Sequence, residues 1–211
     1  MRRKIKNYSG MTLLELLVSI AIFVLGIAGF TLLFIRTWQL NKYTLEMGQS
    51  SMLVSQGVSK MVNYIRGARQ GDDGSYPIVS ASGNDLVLYS DYNEDGVTER
   101  LHFYLNGQNI LMGITNPTNG MPITYPAGDQ QTITIASNIV NNNNTPIFYY
   151  YDENYPGDTT NNPMPNPINV PNVRMVKVYL QINIDPNRPP NNIQMQNFVE
   201  IRNLNDYDRL Q

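Results

Sequence analysis

The chain has no cysteine and a single histidine, His102. Without cysteine no disulfide can staple it, so a domain outside the cytoplasm must be held together by its own apolar core. Zinc sites built on Cys and His, and the Ser–His and Cys–His triads, lack members, and no serine stands in a nucleophile-elbow context. Catalysis is therefore not expected. Paired acids such as Asp72 with Asp73, or Asp206 with Asp208, sit in turn or tail composition and read as solvated surface charge. There is no phosphate-cradling loop either, so the energy for any mechanical task must come from another protein.

Charge is missing from one long stretch. From Met11 to Ile35 the only ionisable side chain is Glu15, whereas the residues before it carry Arg2, Arg3, Lys4 and Lys6 and no acid. At ~1.5 Å per residue that run is long enough to cross a hydrocarbon core of ~30 Å. The basic flank predicts a cytoplasmic N-terminus and a single-pass protein whose remainder lies outside the cytoplasm. Removing the four leader cations leaves 11 basic against 17 acidic side chains, a net charge near −6, which argues against a nucleic-acid partner.

Three processing routes compete at this start. An ordinary signal peptide needs small residues at its cut. Gly26-Ile27-Ala28 offers them, but inside the apolar run, which Phe30 to Ile35 continues. A plain uncleaved anchor is the second route. The third is cleavage after Gly10, which leaves Met11 at the tip of a retained helix. Glu15 also needs an account, because a carboxylate at membrane depth costs roughly 2.5–3.5 kcal/mol on insertion scales. Thr12-x-x-Glu15 satisfies a capping-box pattern, which explains the acid locally. Cleavage after Gly10 would in addition create an ammonium at Met11, to which the Glu15 of a neighbouring helix could pair.

The basic leader, Gly10, Met11-Thr12-Leu13-Leu14 and Glu15 resemble the type IV pilin-like prepilins, including the pseudopilins of type II secretion. The resemblance covers residues 4 to about 35. Met11 departs from it, since Phe is usual at the first mature position. The resemblance implies processing between Gly10 and Met11 by a prepilin peptidase, N-methylation, and docking of new subunits through Glu15. It also implies other pilin or pseudopilin subunits and an inner-membrane assembly platform as partners, with the protein in the inner membrane before it enters a filament or its tip. Among these proteins the chain is most similar to a J-type minor pseudopilin. Leu32 stands where major pilins often carry a helix-loosening Pro, which favours minor status.

Beyond the span, Leu53 or Val54, Val58, Met61 or Val62, Ile65 and Ala68 recur at three- and four-residue steps, an amphipathic continuation of the helix ending at Asp72-Asp73-Gly74. Met47, Met52 and Met61 read as adaptable packing. After Gly74 the period becomes two. Leu86 with Leu88, Leu101 with Phe103 and Leu105, Ile133 with Ile135, Ile147 with Tyr149 and Tyr151, Val176 to Ile184, and Ile193 to Ile201 each mark a strand. Asn106-Gly107 predicts a type I′ hairpin turn. The fold class is α+β: a long N-terminal helix, membrane half then amphipathic half, packed on an antiparallel β head. The segments are a leader at 1–10, an assembly half at 11–35, an outer half at 36–70 and the head at 71–211. Asn141 to Asn144 and the Pro- and Asn-rich stretch 153–172 read as loops that build no core and are either functional or mobile, with mobile slightly favoured. Tyr149-Tyr150-Tyr151 could form a stacking platform, but alternation favours cross-strand packing.

One constellation in the head suggests a ligand. Asp91-Tyr92-Asn93-Glu94-Asp95-Gly96 reads D-x-N-x-D-G, with Val97 and Glu99 at the seventh and ninth positions of a calcium loop. His102 stands where the bidentate Glu would be, and the flanks are strands, so this is not an EF-hand. Calcium held by Asp91, Asn93, Asp95, the Val97 carbonyl and Glu99 is one expectation, an Asx-rich turn without metal the other. The rival to a filament subunit is a membrane-tethered extracytoplasmic binding module with a calcium-stapled β domain.

Overall fold

The computed structural model describes residues 10–185, 187 and 192–205. The first helix, α1 (Leu13–Arg66), runs for 54 residues. It is followed by β1 (Ile78–Ala81), β2 (Asp85–Ser90), β3 (Glu99–Asn106), β4 (Asn109–Thr115) and β5 (Gln131–Ala136), then β6 (Phe148–Tyr151), β7 (Met175–Ile182), β8 (Ile193–Glu200) and a short helix at Arg202–Asn205. This is the expected α+β, pilin-like order of a long helix followed by antiparallel sheets. The chain divides into two compact units, Met1–Leu45 and Glu46–Gln211.

In the first unit α1 is the only regular element among the described residues, and its apolar side chains are solvent-facing: Leu14, Phe23, Leu25 and Phe30 are all more than 60% exposed. An apolar helix without a protein partner is not a stable arrangement in water. By length and composition α1 can cross a membrane.

The second unit holds the core. Of the alternatives left open by the heptad-like spacing, Val54 is buried and Leu53 is 66% exposed, while Met61 and Val62 are both inside. These residues join Val58 and Ile65 in one cluster with Leu86, Leu88, Leu101 and Phe103 from one sheet and Val176, Val178 and Leu180 from the other. Gly57 sets how closely the helix meets β5: a Cβ there would overlap the Ile135 carbonyl oxygen. Only glycine permits that approach.

The strands form two sheets. Five pair as a meander in the order β1-β2-β3-β4-β5, and three pair as β6-β7-β8. β1 has no counterpart in the sequence reading because a four-residue strand just after Pro77 shows little periodicity. The hairpin between β3 and β4 is present, but its geometry differs from the expectation. Asn106 pairs with Asn109, so the two loop residues are Gly107 and Gln108, and only Gly107 has positive φ, at 60°. That is the pattern of a type II′ turn, with Gly at its first central position, rather than type I′.

β6 also turns its faces the other way from the expectation. Phe148 and Tyr150 point into the core, where the Tyr150 hydroxyl donates to the Ser82 carbonyl at 2.8 Å, while Tyr149 and Tyr151 lie on the outer face. A cluster of three tyrosines gives either parity the same hydrophobicity, so the alternation rule could not choose between them. The stretch 153–172 is pinned rather than free: Met164 N–H donates to the Tyr150 carbonyl along the β6 edge, and buried Asn162 accepts from the Asp152 N–H. Asn141 is likewise buried and binds β7, accepting from the Gln181 N–H and donating to the Tyr179 carbonyl.

Candidate functional site

The N-terminal junction is open. Gly10, Met11 and Thr12 precede the helix in non-helical backbone, Met11 is 65% exposed, and among the described residues beyond its chain neighbour nothing lies within 4 Å of a Cβ placed on Gly10. The leader cations Arg2, Arg3, Lys4 and Lys6 lie outside the described residues.

Glu15 and Thr12 form the reciprocal box that their spacing predicts. The Thr12 N–H and hydroxyl donate to Glu15 Oε2 at 2.9 and 3.0 Å, and the Glu15 N–H donates to Thr12 Oγ1 at 3.3 Å. Three otherwise unpaired groups of the first turn are satisfied in this way. The carboxylate also lies at the positive end of the helix dipole. Two consequences follow from the atoms used. Both bonds to the carboxylate end on Oε2, which leaves Oε1 without a donor among the described residues. The box also needs only the Met11–Thr12 amide and the Thr12 side chain, so it would survive a cut between Gly10 and Met11.

The acidic loop in the head is organised by its own backbone and by one cation. Asp91 Oδ1 accepts from the Asp95 N–H at 3.1 Å, and its Oδ2 accepts from the Gly96 N–H at 3.0 Å. Asp95 Oδ1 accepts from the Val97 N–H at 2.8 Å, and Asn93 donates its amide to Asp95 Oδ2 at 2.8 Å. Glu94 and Gly96 adopt positive φ, of 62° and 91°, to close the turn. Arg69, just past the end of α1, enters from the side. Its guanidinium pairs with Asp91 Oδ2 at 3.3 Å and donates to the Gly96 carbonyl at 2.9 Å and the Thr98 hydroxyl at 2.8 Å.

The structure therefore brings Asp91, Asn93, Asp95 and Val97 into one loop that ends at Glu99, the first residue of β3, but the side-chain oxygens of Asp91, Asn93 and Asp95 already face donors. Among the described residues no group of three or more Asp, Glu or His is placed to hold a metal ion. Glu99 is buried and accepts the Tyr92 N–H at 3.2 Å. Burial pushes its carboxyl above the usual carboxylate range, the Tyr92 N–H works against that, and the Asp95 and Asp91 charges add to it. Beneath the loop the Tyr125 hydroxyl donates to the Thr98 carbonyl at 2.6 Å and accepts from the Asp72 N–H. Burial first, then the Asp72 and Asp73 charges, push that phenol up to about 12.

Sequence reasoning missed Arg69 because nothing local ties it to residues 22 to 29 positions later. The available signal was a cation just past the apolar stripe, next to the breaker Asp72-Asp73-Gly74. His102, the one imidazole, lies between two carboxylates, with Nε2 2.7 Å from Asp85 Oδ2 and Nδ1 3.1 Å from Asp129 Oδ2. Gly113 makes room for Asp129 there, since a Cβ on it would overlap the carboxyl group.

Residues 5–31 match the family model of the prokaryotic N-terminal methylation motif. No curated protein matches the chain, and no solved structure does. The motif supports a prepilin-like protein, and implies a prepilin peptidase and other pilin subunits as its partners. Together with the single apolar N-terminal helix it fits a membrane-anchored, single-pass protein.

Proposed function

We propose that this prepilin-like chain is a minor pilin or pseudopilin subunit of a type II secretion or type IV pilus-like filament. The prepilin waits in the inner membrane with its head outside the cytoplasm, is cut after Gly10, and enters a short filament or its tip. Its role is mechanical. The observation that carries this reading is a coincidence of features: the methylation motif at residues 5–31 spans an exposed junction at Gly10 and a lone acid, Glu15, at the start of an unpartnered apolar helix.

The capping box and the assembly role of Glu15 are compatible. The cap uses Oε2 alone, so Oε1 remains for the ammonium that processing creates on the Met11 of a neighbouring subunit. In the low dielectric of the membrane such a pair is screened little, and its attraction works against the cost of holding a bare carboxylate at that depth. Pairing offsets that cost, and an incoming subunit gains its position in the filament at the same time.

Glu15→Gln separates the two roles, because glutamine also closes a capping box. The variant should insert and fold as the parent does, while its incorporation into filaments falls by roughly tenfold or more. Incorporation at the parental level would remove Glu15 from the assembly mechanism.

A further inference from the structure

The outer face of the β6-β7-β8 sheet carries an aromatic platform built around one ammonium. Cross-strand register puts Tyr149, Lys177 and Phe198 in a single row, with Tyr179 one step along β7. Lys177 Nζ lies 4.4 Å from the Tyr149 ring centroid, 5.7 Å from that of Tyr179 and 5.8 Å from that of Phe198. Tyr155, from the loop after β6, stacks on Phe198 with an interplanar angle of 9° and extends the platform. Phe198 is 41% exposed, a large apolar ring left at the surface of an eight-residue strand.

The ammonium is what gives this face a preference. It has three N–H donors, and among the described residues it meets no carboxylate or other oxygen acceptor; its contacts are the three rings. The rings hold it in place through their negative faces and cannot accept three directed hydrogen bonds. An anionic oxygen arriving from solvent would complete it. Around it the side chains suit a hydroxylated ligand. Gln196 is exposed opposite Tyr179, and Gln181 donates its amide to the Tyr179 hydroxyl at 2.9 Å. Flat rings, amides and one unsatisfied cation on an open sheet face match the apolar ring faces, hydroxyls and carboxylate of an acidic sugar.

We propose that this face binds acidic polysaccharide, with Lys177 taking a uronate carboxylate while Tyr149 and Phe198 take the sugar rings. The inference is independent of the filament reading. An acidic peptide would use the same charge but has no need of aromatic rings flanked by amides, and one lysine on a chain of net charge −2 makes no track for nucleic acid.

The test is calorimetric titration of the detergent-solubilised full chain with an oligogalacturonate, a neutral oligosaccharide of equal length and a polyglutamate peptide. Saturable binding of the oligogalacturonate is expected, at least tenfold tighter than either of the others. Lys177→Met should abolish it with the circular dichroism spectrum unchanged, Lys177→Arg should restore it, and Phe198→Ala should weaken it. Equal binding of the neutral sugar, equal or preferential binding of polyglutamate, binding unaffected by Lys177→Met, or no heat with any probe at millimolar concentration would each overturn the proposal.

Discussion

Replacing Gly57 by alanine tests how the outer half of α1 is seated. The added Cβ would overlap the Ile135 carbonyl oxygen and lie 3.1 Å from the carbonyl carbon, inside the 3.4 Å at which ordinary contact begins. The obstacle is backbone, which cannot swing aside as a flexible side chain does. Relief therefore requires moving the helix away from β5, and Val58 and Met61, which flank Gly57 on the buried stripe, would move with it. Overpacking of this kind costs about 1–3 kcal/mol, against which alanine regains about 1 kcal/mol of helix propensity. A net loss near 1 kcal/mol should lower Tm by roughly 2–4 °C in a unit of this size. Gly48 is the internal control, because it lies in the same helix with nothing within 4 Å of its added Cβ, so Gly48→Ala should hold or raise Tm. Thermal melts followed by circular dichroism on the two variants side by side would decide it. If Gly57→Ala melted no lower than Gly48→Ala, the close seating of helix on strand would be wrong.

Two more expectations concern the acidic loop. Arg69 already satisfies Asp91 and the Gly96 carbonyl, so calorimetry with calcium up to millimolar concentration should show no saturable heat; a saturable signal would mean that the cation displaces the guanidinium. Arg69→Met should cost about 1–2 kcal/mol, a charged hydrogen-bond set discounted for partial exposure, read as a lower denaturant midpoint. Glu99 carries a raised carboxyl pKa, so the folded state holds its proton more tightly than the unfolded chain does. Its contribution is fully present below the ordinary carboxyl value of 4.5 and is lost as pH rises through the higher folded value. Glu99→Gln should remove that loss and flatten the fall in stability above pH 4.5, measured by denaturant titration at several pH values; a slope unchanged by the substitution would refute it.

The parts of this fold that were legible in the sequence are those with a single dominant period. The span from Met11 to Ile35 has no competing pattern, and β7 alternates cleanly from Val176 to Ile182, all four inward residues being fully buried. The Thr12–Glu15 box was legible because capping is local, three residues apart. Faces failed where hydrophobicity did not alternate: Phe148-Tyr149-Tyr150-Tyr151 offers rings on both sides, and the choice of Phe148 and Tyr150 comes from the tertiary slot under Ser82. The type II′ turn was missed because the Asn-Gly pair names a favoured turn but not its register, which pairing of Asn106 with Asn109 shifts by one. At the acidic loop the spacing found the right residues and could not show their partner, since Arg69 is 22 positions from Asp91 and reaches it only through the tertiary fold. Glu15 is the reverse case, where the residue, its cap and its neighbours were all readable, and its assembly partner would lie on another molecule.

The most direct measurement is the mass of the N-terminal peptide of the protein recovered from membranes. The peptide should begin at Met11, whether methylated or not, with Arg2 to Gly10 removed. Recovery of a peptide that still carries Arg2 to Gly10, from cells in which the prepilin peptidase processes its other substrates, would contradict it.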